Sequence, residues 1–141
     1  MGNKPFYFIS HFGADTKMNI AALLHWEFTR QWFGSFLDFE SLDLGHNIPH
    51  KIEEAILKCT IAVIILSPGF CASKHCLNEV LMFLEENKPI LPIFWNIKPS
   101  ELEEALEKNE GSFPESDMEK YRAAIKKVKH VQGIVFQSKT G

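Results

Sequence analysis

An acidic residue, Glu79, closes a short motif that follows the most apolar segment of the chain. The motif is Cys76-Leu77-Asn78-Glu79, and the run 61–66 before it ends at Ser67-Pro68-Gly69. A continuous β-branched run that stops at Ser-Pro-Gly is typical of a fully buried parallel strand, and open α/β sheets bind ligands at the carboxyl ends of such strands. Glu79 is therefore placed for chemistry on a bound ligand. Because a Glu within a helix is most often solvated, we expect an exposed carboxylate beside the crevice, whose removal leaves the fold intact.

Strand-like and helix-like patterns alternate along the chain. The predicted strands are 6–10, 33–38, 60–66, 89–95 and 133–136. The predicted helices are the stripe 20–28, a segment after Pro49, a helix from 72–75 to 86, a short stretch at 101–108, and the apolar stripe 118–128. Residues 13–16 are predicted to form a loop that caps the first helix. This alternation predicts a single α/β domain over 1–141, a flavodoxin-like doubly wound fold with a five-stranded parallel sheet of order 2-1-3-4-5.

Composition favours one globular domain, since the 141 residues are 45% hydrophobic and 23% charged. A net charge of -3 without a long basic run argues against a nucleic-acid partner. The three cysteines suit neither a disulfide scaffold nor a zinc site, which favours a reducing compartment, cytoplasmic or nucleo-cytoplasmic. No apolar stretch reaches membrane-spanning length, and Phe6 stands where a myristoylation signal has Ser or Thr, so we expect no membrane partner.

Three other kinds of site fit the sequence poorly. His46 and His50 are four residues apart, but no third ligand is near them, so we expect no metal. A phosphoacceptor domain on this fold needs an Asp at the end of strand three, where this chain has Ser67. A flavin site would need a hydroxyl- and Gly-rich phosphate loop after strand one, which Ser10 and Gly13 match only loosely, and we expect no cofactor.

Four blocks of residues resemble, in order and spacing, the Toll/interleukin-1 receptor (TIR) domain, and its plant immune branch most of all. The blocks are Phe8-Ile9-Ser10 with Gly13 and Asp15-Thr16; Phe36-Leu37-Asp38 with Leu42, Gly45 and Ile48; 64–67 with Ser73 and 76–79; and Pro92-Ile93-Phe94 with Pro99-Ser100. The likeness covers nearly the whole chain, and each block falls at the expected place on the predicted fold. The chain is identified as a member of the TIR family on this pattern.

The resemblance implies two kinds of function: self-association as a signalling adaptor, and cleavage of NAD+, or alternatively NADP+, at the nicotinamide glycosidic bond. Enzymatic members use the Glu that closes the motif, here Glu79. An acid for the leaving group is not needed, because nicotinamide leaves as a neutral molecule from a cationic pyridinium. One ionised carboxylate can stabilise the oxocarbenium-like charge that develops. We favour the enzyme, an NAD+ glycohydrolase or ADP-ribosyl cyclase of immune and cell-death signalling activated by homo-oligomerisation, over the non-catalytic adaptor.

The resemblance also implies substrate-binding residues, namely Ser10, Gly13, Asp38, Gly45, His75 and Cys76. Gly13 and the pair Asp15-Thr16 either cradle a phosphate with backbone amides or merely cap a helix. Gly45 belongs either to a loop that in this family closes over a site, sometimes in a neighbouring protomer, or to an ordinary loop. Cys76 is either a packed core thiol or, as in some plant relatives, tied to a nucleotide-cyclising activity on nucleic acid.

The chain departs from the plant TIR pattern in three places. His75 stands where these enzymes carry a Trp that can stack on a base or pyridinium. Phe12 replaces an Arg that could meet a phosphate, which weakens the case for diphosphate binding. The Ser-His pair of the homotypic interface on the first helix is replaced by Ala22 and Leu23, although His25 and Trp26 on a neighbouring face could supply contacts.

Overall fold

A computed structural model describes residues 5–16, 19–37 and 50–137 of the chain. In that part, five strands form one parallel sheet of order β2-β1-β3-β4-β5. The strands are β1 (Phe6–His11), β2 (Gly34–Leu37), β3 (Ile61–Leu66), β4 (Ile90–Trp95) and β5 (Ile134–Phe136). The predicted flavodoxin-like, doubly wound topology is confirmed, and the predicted strands coincide with these five.

Helices connect the strands. They are α1 (Gly13–Thr16), α2 (Ile20–Arg30), α3 (His50–Lys58), α4 (Lys74–Glu85), α5 (Leu102–Glu107) and α6 (Glu115–Lys129), with 3-10 turns at Phe70–Ala72 and Pro99–Glu101. None of the helices in the described ranges is long and apolar enough to cross a membrane.

The prediction that residues 13–16 form a capping loop is wrong. These residues form α1, because the backbone N–H groups of Asp15 and Thr16 donate to the carbonyl oxygen of Phe12. The cap of α2 is Asn19 instead, whose side chain accepts a hydrogen bond from the backbone N–H of Ile20. Because Asn19 caps α2, the side chain of Asp15 is available for a contact outside α1.

One face of the sheet, the α4 face, carries α3, α4, α5 and α6 and holds the larger core. Alternate residues of the strands point into it, among them Phe8, Ile64 and Phe94. The predicted stripe on α6, which comprises Met118, Tyr121, Ile125 and Val128, is fully buried there. The predicted apolar stripe of α6 is confirmed. Strands β1 and β3 are covered by helices on this face.

The opposite face, the α2 face, carries α2 above a smaller core that includes Ile9, Val63 and Ile65. Crossovers between parallel strands are right-handed, so the β1-to-β2 connection lies on this face while the later connections return over the other one. At the β5 end the sheet is more open, with Phe136 44% exposed and stacked on Trp95 at a ring distance of 4.4 Å. The two faces are therefore covered unequally.

A close backbone approach holds β5 beside β4. A Cβ atom at Gly133 would lie 2.2 Å from the carbonyl oxygen of Pro92, far inside contact distance. We expect Gly133→Ala to displace β5 and lower the free energy of unfolding by about 1–3 kcal/mol, measured by urea denaturation. The exposed neighbour provides a control, since Gln132→Ala should change stability by less than about 0.5 kcal/mol. Equal stability of the two variants would contradict this account.

Candidate active site

The buried polar side chains of the described residues all lie near the carboxyl ends of β1 and β3. They are Ser10, His11, Thr16, Ser67 and Glu79. A polar group buried without a partner costs free energy, so such a cluster persists only where its members bind one another. This concentration marks the sheet edge at which an open α/β fold binds ligands.

Glu79 is the charged member of this cluster and is only 2% exposed. The expectation of an exposed carboxylate is therefore wrong. Cys76, Glu79, Val80 and Phe83 are buried together on α4 at helical spacing, so Glu79 belongs to the inward stripe of the helix. That spacing was visible in the sequence and could have predicted the burial.

Two side chains hold the carboxylate, one at each oxygen. The hydroxyl of Ser10 at the end of β1 donates to Oε1 of Glu79 over 2.6 Å. Nε2 of His75, one turn earlier on α4, lies 3.1 Å from Oε2. A buried carboxylate is tolerated only when polar groups surround it, and Ser10 supplies a hydrogen bond to one oxygen while His75 lies beside the other.

His75 lies against Glu79, and its expected role toward a substrate stays a prediction. Its side chain is 13% exposed, and Nε2 lies 3.1 Å from Oε2 of Glu79. The spacing of four residues on one helix predicts such a contact, since side chains at i and i+4 are neighbours on a helix. This contact was not predicted, because residue 75 was compared only with the Trp of the plant TIR pattern.

The rotation of α4 decides which way these side chains point. Ser73 caps the helix, and its hydroxyl oxygen accepts a hydrogen bond from the backbone N–H of Cys76 over 3.2 Å. Farther along, the hydroxyl of Tyr121 on α6 donates to Oδ1 of Asn78 over 2.8 Å. These two hydrogen bonds fix the rotation of α4 between Ser73 and Asn78, and Glu79, the next residue, points toward β1.

A second set of contacts, the Asp15 clasp, comprises Asp15, Ser67 and Gly69. Oδ2 of Asp15 accepts hydrogen bonds from the hydroxyl of Ser67 over 2.6 Å and from the backbone N–H of Gly69 over 2.7 Å. Only glycine fits at position 69, because a Cβ there would lie 2.6 Å from the ring of Phe12 and 2.9 Å from Oδ2 of Asp15. The clasp ties α1 to the segment that follows β3, and no local sequence signal could reveal a contact between residues so far apart.

Cys76 is a packed thiol. Its Sγ donates to the carbonyl oxygen of His11 over 3.4 Å, and the ring of His11 contacts the hydroxyl of Thr16 over 3.1 Å. Burial first, and then the negative charge of Glu79, raise the pKa of the Cys76 thiol well above its usual value. A neutral thiol is a poor nucleophile, so the core role weighed for Cys76 agrees with its surroundings.

The structure thus brings Ser10, His75 and Cys76 to Glu79, while their roles toward a substrate stay predictions. Gly13 is the first residue of α1, near this cluster. The backbone amides of Asp15 and Thr16 donate to the carbonyl oxygen of Phe12 within the turn, and phosphate binding at Gly13 stays a prediction. The predictions for Asp38 and Gly45 lie outside the described residues.

Within the described ranges, no group of three His, Cys, Asp or Glu side chains could hold a metal ion. Cys59, Cys71 and Cys76 are free and buried. The described part of the site therefore offers hydrogen bonds and one buried carboxylate, which suits charge stabilisation at a bound organic substrate.

The family model of the TIR domain matches residues 6–141. The chain belongs to the TIR domain family. It is 40% identical over 95% of its length to "Probable 2' cyclic ADP-D-ribose synthase BdTIR" of Brachypodium distachyon, and 31% identical over 77% to "Disease resistance protein RPV1" of Vitis rotundifolia. Among solved structures, the TIR domains of the activated Roq1 resistosome superpose with a TM-score of 0.85 at 21% identity, over 97% of this chain and 90% of that one. This TIR domain spans 60% of the length of the Brachypodium relative and 8% of RPV1.

The Asp15 clasp makes a prediction about stability. Asp15→Asn removes the charge that both donors share, and we expect the free energy of unfolding to fall by about 1–3 kcal/mol, measured by urea denaturation. Glu119→Gln, at an exposed position of α6, makes the same chemical change and should stay within about 0.5 kcal/mol of the wild type. If Asp15→Asn were as stable as Glu119→Gln, the clasp would contribute nothing to the fold.

Proposed function

We propose that this TIR domain cleaves the nicotinamide glycosidic bond of NAD+ and signals in plant immunity, with self-association activating the site. The observation that carries the proposal is a buried carboxylate, Glu79, held at both oxygens by Ser10 and His75 at the ligand-binding edge of the sheet. A solvated surface Glu would need neither partner. Holding a carboxylate in one orientation before the substrate arrives is what electrostatic catalysis requires.

The chemistry needs one carboxylate. As the bond between the ribose carbon and the pyridinium nitrogen breaks, its electron pair stays on nitrogen, and nicotinamide departs neutral without an acid. Positive charge accumulates on the ribose, and the ionised Glu79 stabilises it. Attack by water gives ADP-ribose and a proton, whereas attack by a hydroxyl of the same molecule gives a cyclic isomer. The name of the 40% identical Brachypodium relative supports this substrate class, with a cyclised product.

A non-catalytic adaptor is the second candidate, and the exposed apolar residues near and on α2 favour it. Leu23 is 66% exposed, Trp26 67% and Trp32 79%. Large apolar side chains exposed together often mark an interaction surface. Such a surface also serves the enzyme, because self-association is part of its proposed activation, so the measurement of nicotinamide separates the two candidates.

We assign the domain to a reducing, cytoplasmic compartment as part of the same proposal. The support is the set of three buried free thiols, Cys59, Cys71 and Cys76. Free thiols persist in reducing compartments.

Glu79→Gln tests the chemistry with little change in shape. We expect nicotinamide release from NAD+ at high protein concentration to fall by about 100-fold or more, because the neutral amide cannot stabilise the ribose cation. Glu86→Gln, just past the end of α4 and exposed, is the matched control and should retain wild-type release. Full turnover by a folded Glu79→Gln protein would place the chemistry elsewhere.

Truncation of the same side chain should also affect folding, since Glu79 is buried. Glu79→Ala leaves Ser10 and His75 without their shared partner, and we expect it to lower the free energy of unfolding by about 1–3 kcal/mol. The isosteric Gln variant is therefore the cleaner test of catalysis.

Self-association is tested by dilution. We expect nicotinamide release per molecule to fall as the protein is diluted through its dissociation range, because the assembled form is the competent one. Trp26→Arg on the exposed side of α2 should shift that range to higher protein concentration. Leu57→Arg changes an exposed apolar residue of α3 in the same way and should not. A rate per molecule that stays constant while the protein dissociates would contradict activation by assembly.

A further inference from the structure

The partner of Glu79 at Oε2 is a group whose charge can change. Nε2 of His75 lies 3.1 Å from that oxygen, and the two side chains are 13% and 3% exposed. Histidine gains or loses its proton between about pH 5 and pH 8, whereas the Trp of the plant TIR pattern cannot. The replacement at position 75 therefore introduces a titratable group into direct contact with the proposed catalytic carboxylate.

The other titratable groups described around the site have different contacts. On β1, the ring of His11 contacts Thr16, and on α1 the carboxylate of Asp15 accepts hydrogen bonds from the segment after β3. On α4, Cys76 is a buried thiol bonded to a backbone carbonyl, and Lys74 lies 3.6 Å from Asp117 of α6. The contact on which the inference depends is that of His75 Nε2 with Oε2 of Glu79, over 3.1 Å.

The two forms of His75 have opposite consequences for the reaction. A neutral imidazole beside Glu79 leaves the full negative charge of the carboxylate available. An imidazolium at the same distance neutralises that charge and adds a positive charge near the cationic pyridinium of the substrate. Because the transition state gathers positive charge on the ribose, the second form loses the stabilisation that the site supplies.

We infer that His75 is a positioning residue that sets the charge available at Glu79, so that the domain is active with His75 neutral and inhibited with His75 protonated. This inference rests on the proposed cleavage of NAD+. It assigns His75 a role that a stacking ring cannot perform, since Ser10 at the other oxygen carries no charge in either state. The pH dependence of NAD+ cleavage then follows the protonation of residue 75.

The first test is the pH profile of nicotinamide release, measured as kcat/KM from about pH 5.5 to about pH 8.5. We expect the wild-type value to rise about tenfold per pH unit below the midpoint of His75 and then to level off. His75→Gln, and His75→Asn as a second variant, keep a neutral donor near Glu79 and should abolish that rise while remaining active at the acid end. His130→Gln, at an exposed position just past the end of α6, is the control and should keep the wild-type profile.

Titration of another group would give a different pattern. If the rise came from protonation of Glu79 itself, it would persist in His75→Gln and move to higher pH, because the neighbouring cation would be gone. If it came from His11, it would disappear in His11→Gln and persist in His75→Gln. Either pattern would overturn the inference while leaving NAD+ cleavage established. A wild type that releases no nicotinamide at any pH would overturn the proposed function and this inference together.

The second test needs no turnover. The midpoint for protonation of His75, followed by NMR of its ring protons, should fall by about one pH unit or more in Glu79→Gln, because the carboxylate that favours the imidazolium is removed. The midpoint of His25 should not change in the same sample. An unchanged midpoint of His75 would show that the two groups are not coupled, and it would overturn the inference even if the activity profile had been as expected.

Discussion

The burial of the Glu79 carboxylate is the constraint on which the rest of the site depends. An unpaired charge in a protein interior is strongly unfavourable, and the cost falls only when partners with good geometry are supplied. Here the partners come from two elements, Ser10 at the end of β1 and His75 on α4. The position of β1 in the sheet and the rotation of α4 are therefore coupled through one carboxylate.

The parallel sheet makes that coupling possible. Because every strand runs in the same direction, β1 and β3 end at the same edge, and the segments that follow them meet there. The Asp15 clasp joins those two segments, and Tyr121 anchors α4 from the far side of its packing interface. The clasp and the Tyr121 hydrogen bond join residues far apart in sequence, and they support the site together with the local contact of His75 with Glu79.

The same sheet also explains how one domain can combine chemistry with assembly. Because crossover connections are right-handed, most helices lie on the α4 face and pack behind Glu79. The α2 face has less cover. Exposed apolar side chains such as Trp26 then remain on the outer surface of α2. The proposed catalysis and the proposed self-association therefore involve different helices of one TIR domain, α4 and α2.

The sequence by itself determined the fold class, the five strands and their order, because apolar periodicity and turn residues act over short stretches of chain. It also singled out Glu79 through its motif. The burial of this carboxylate and its contact with His75 follow helical spacings that the sequence already carries, whereas only the tertiary structure decided that Ser10 binds the carboxylate and that Asp15 binds Ser67 and Gly69 instead of capping a helix. Local patterns specify elements, whereas the partner of a buried charge depends on which distant elements the packed sheet brings within 3 Å of it.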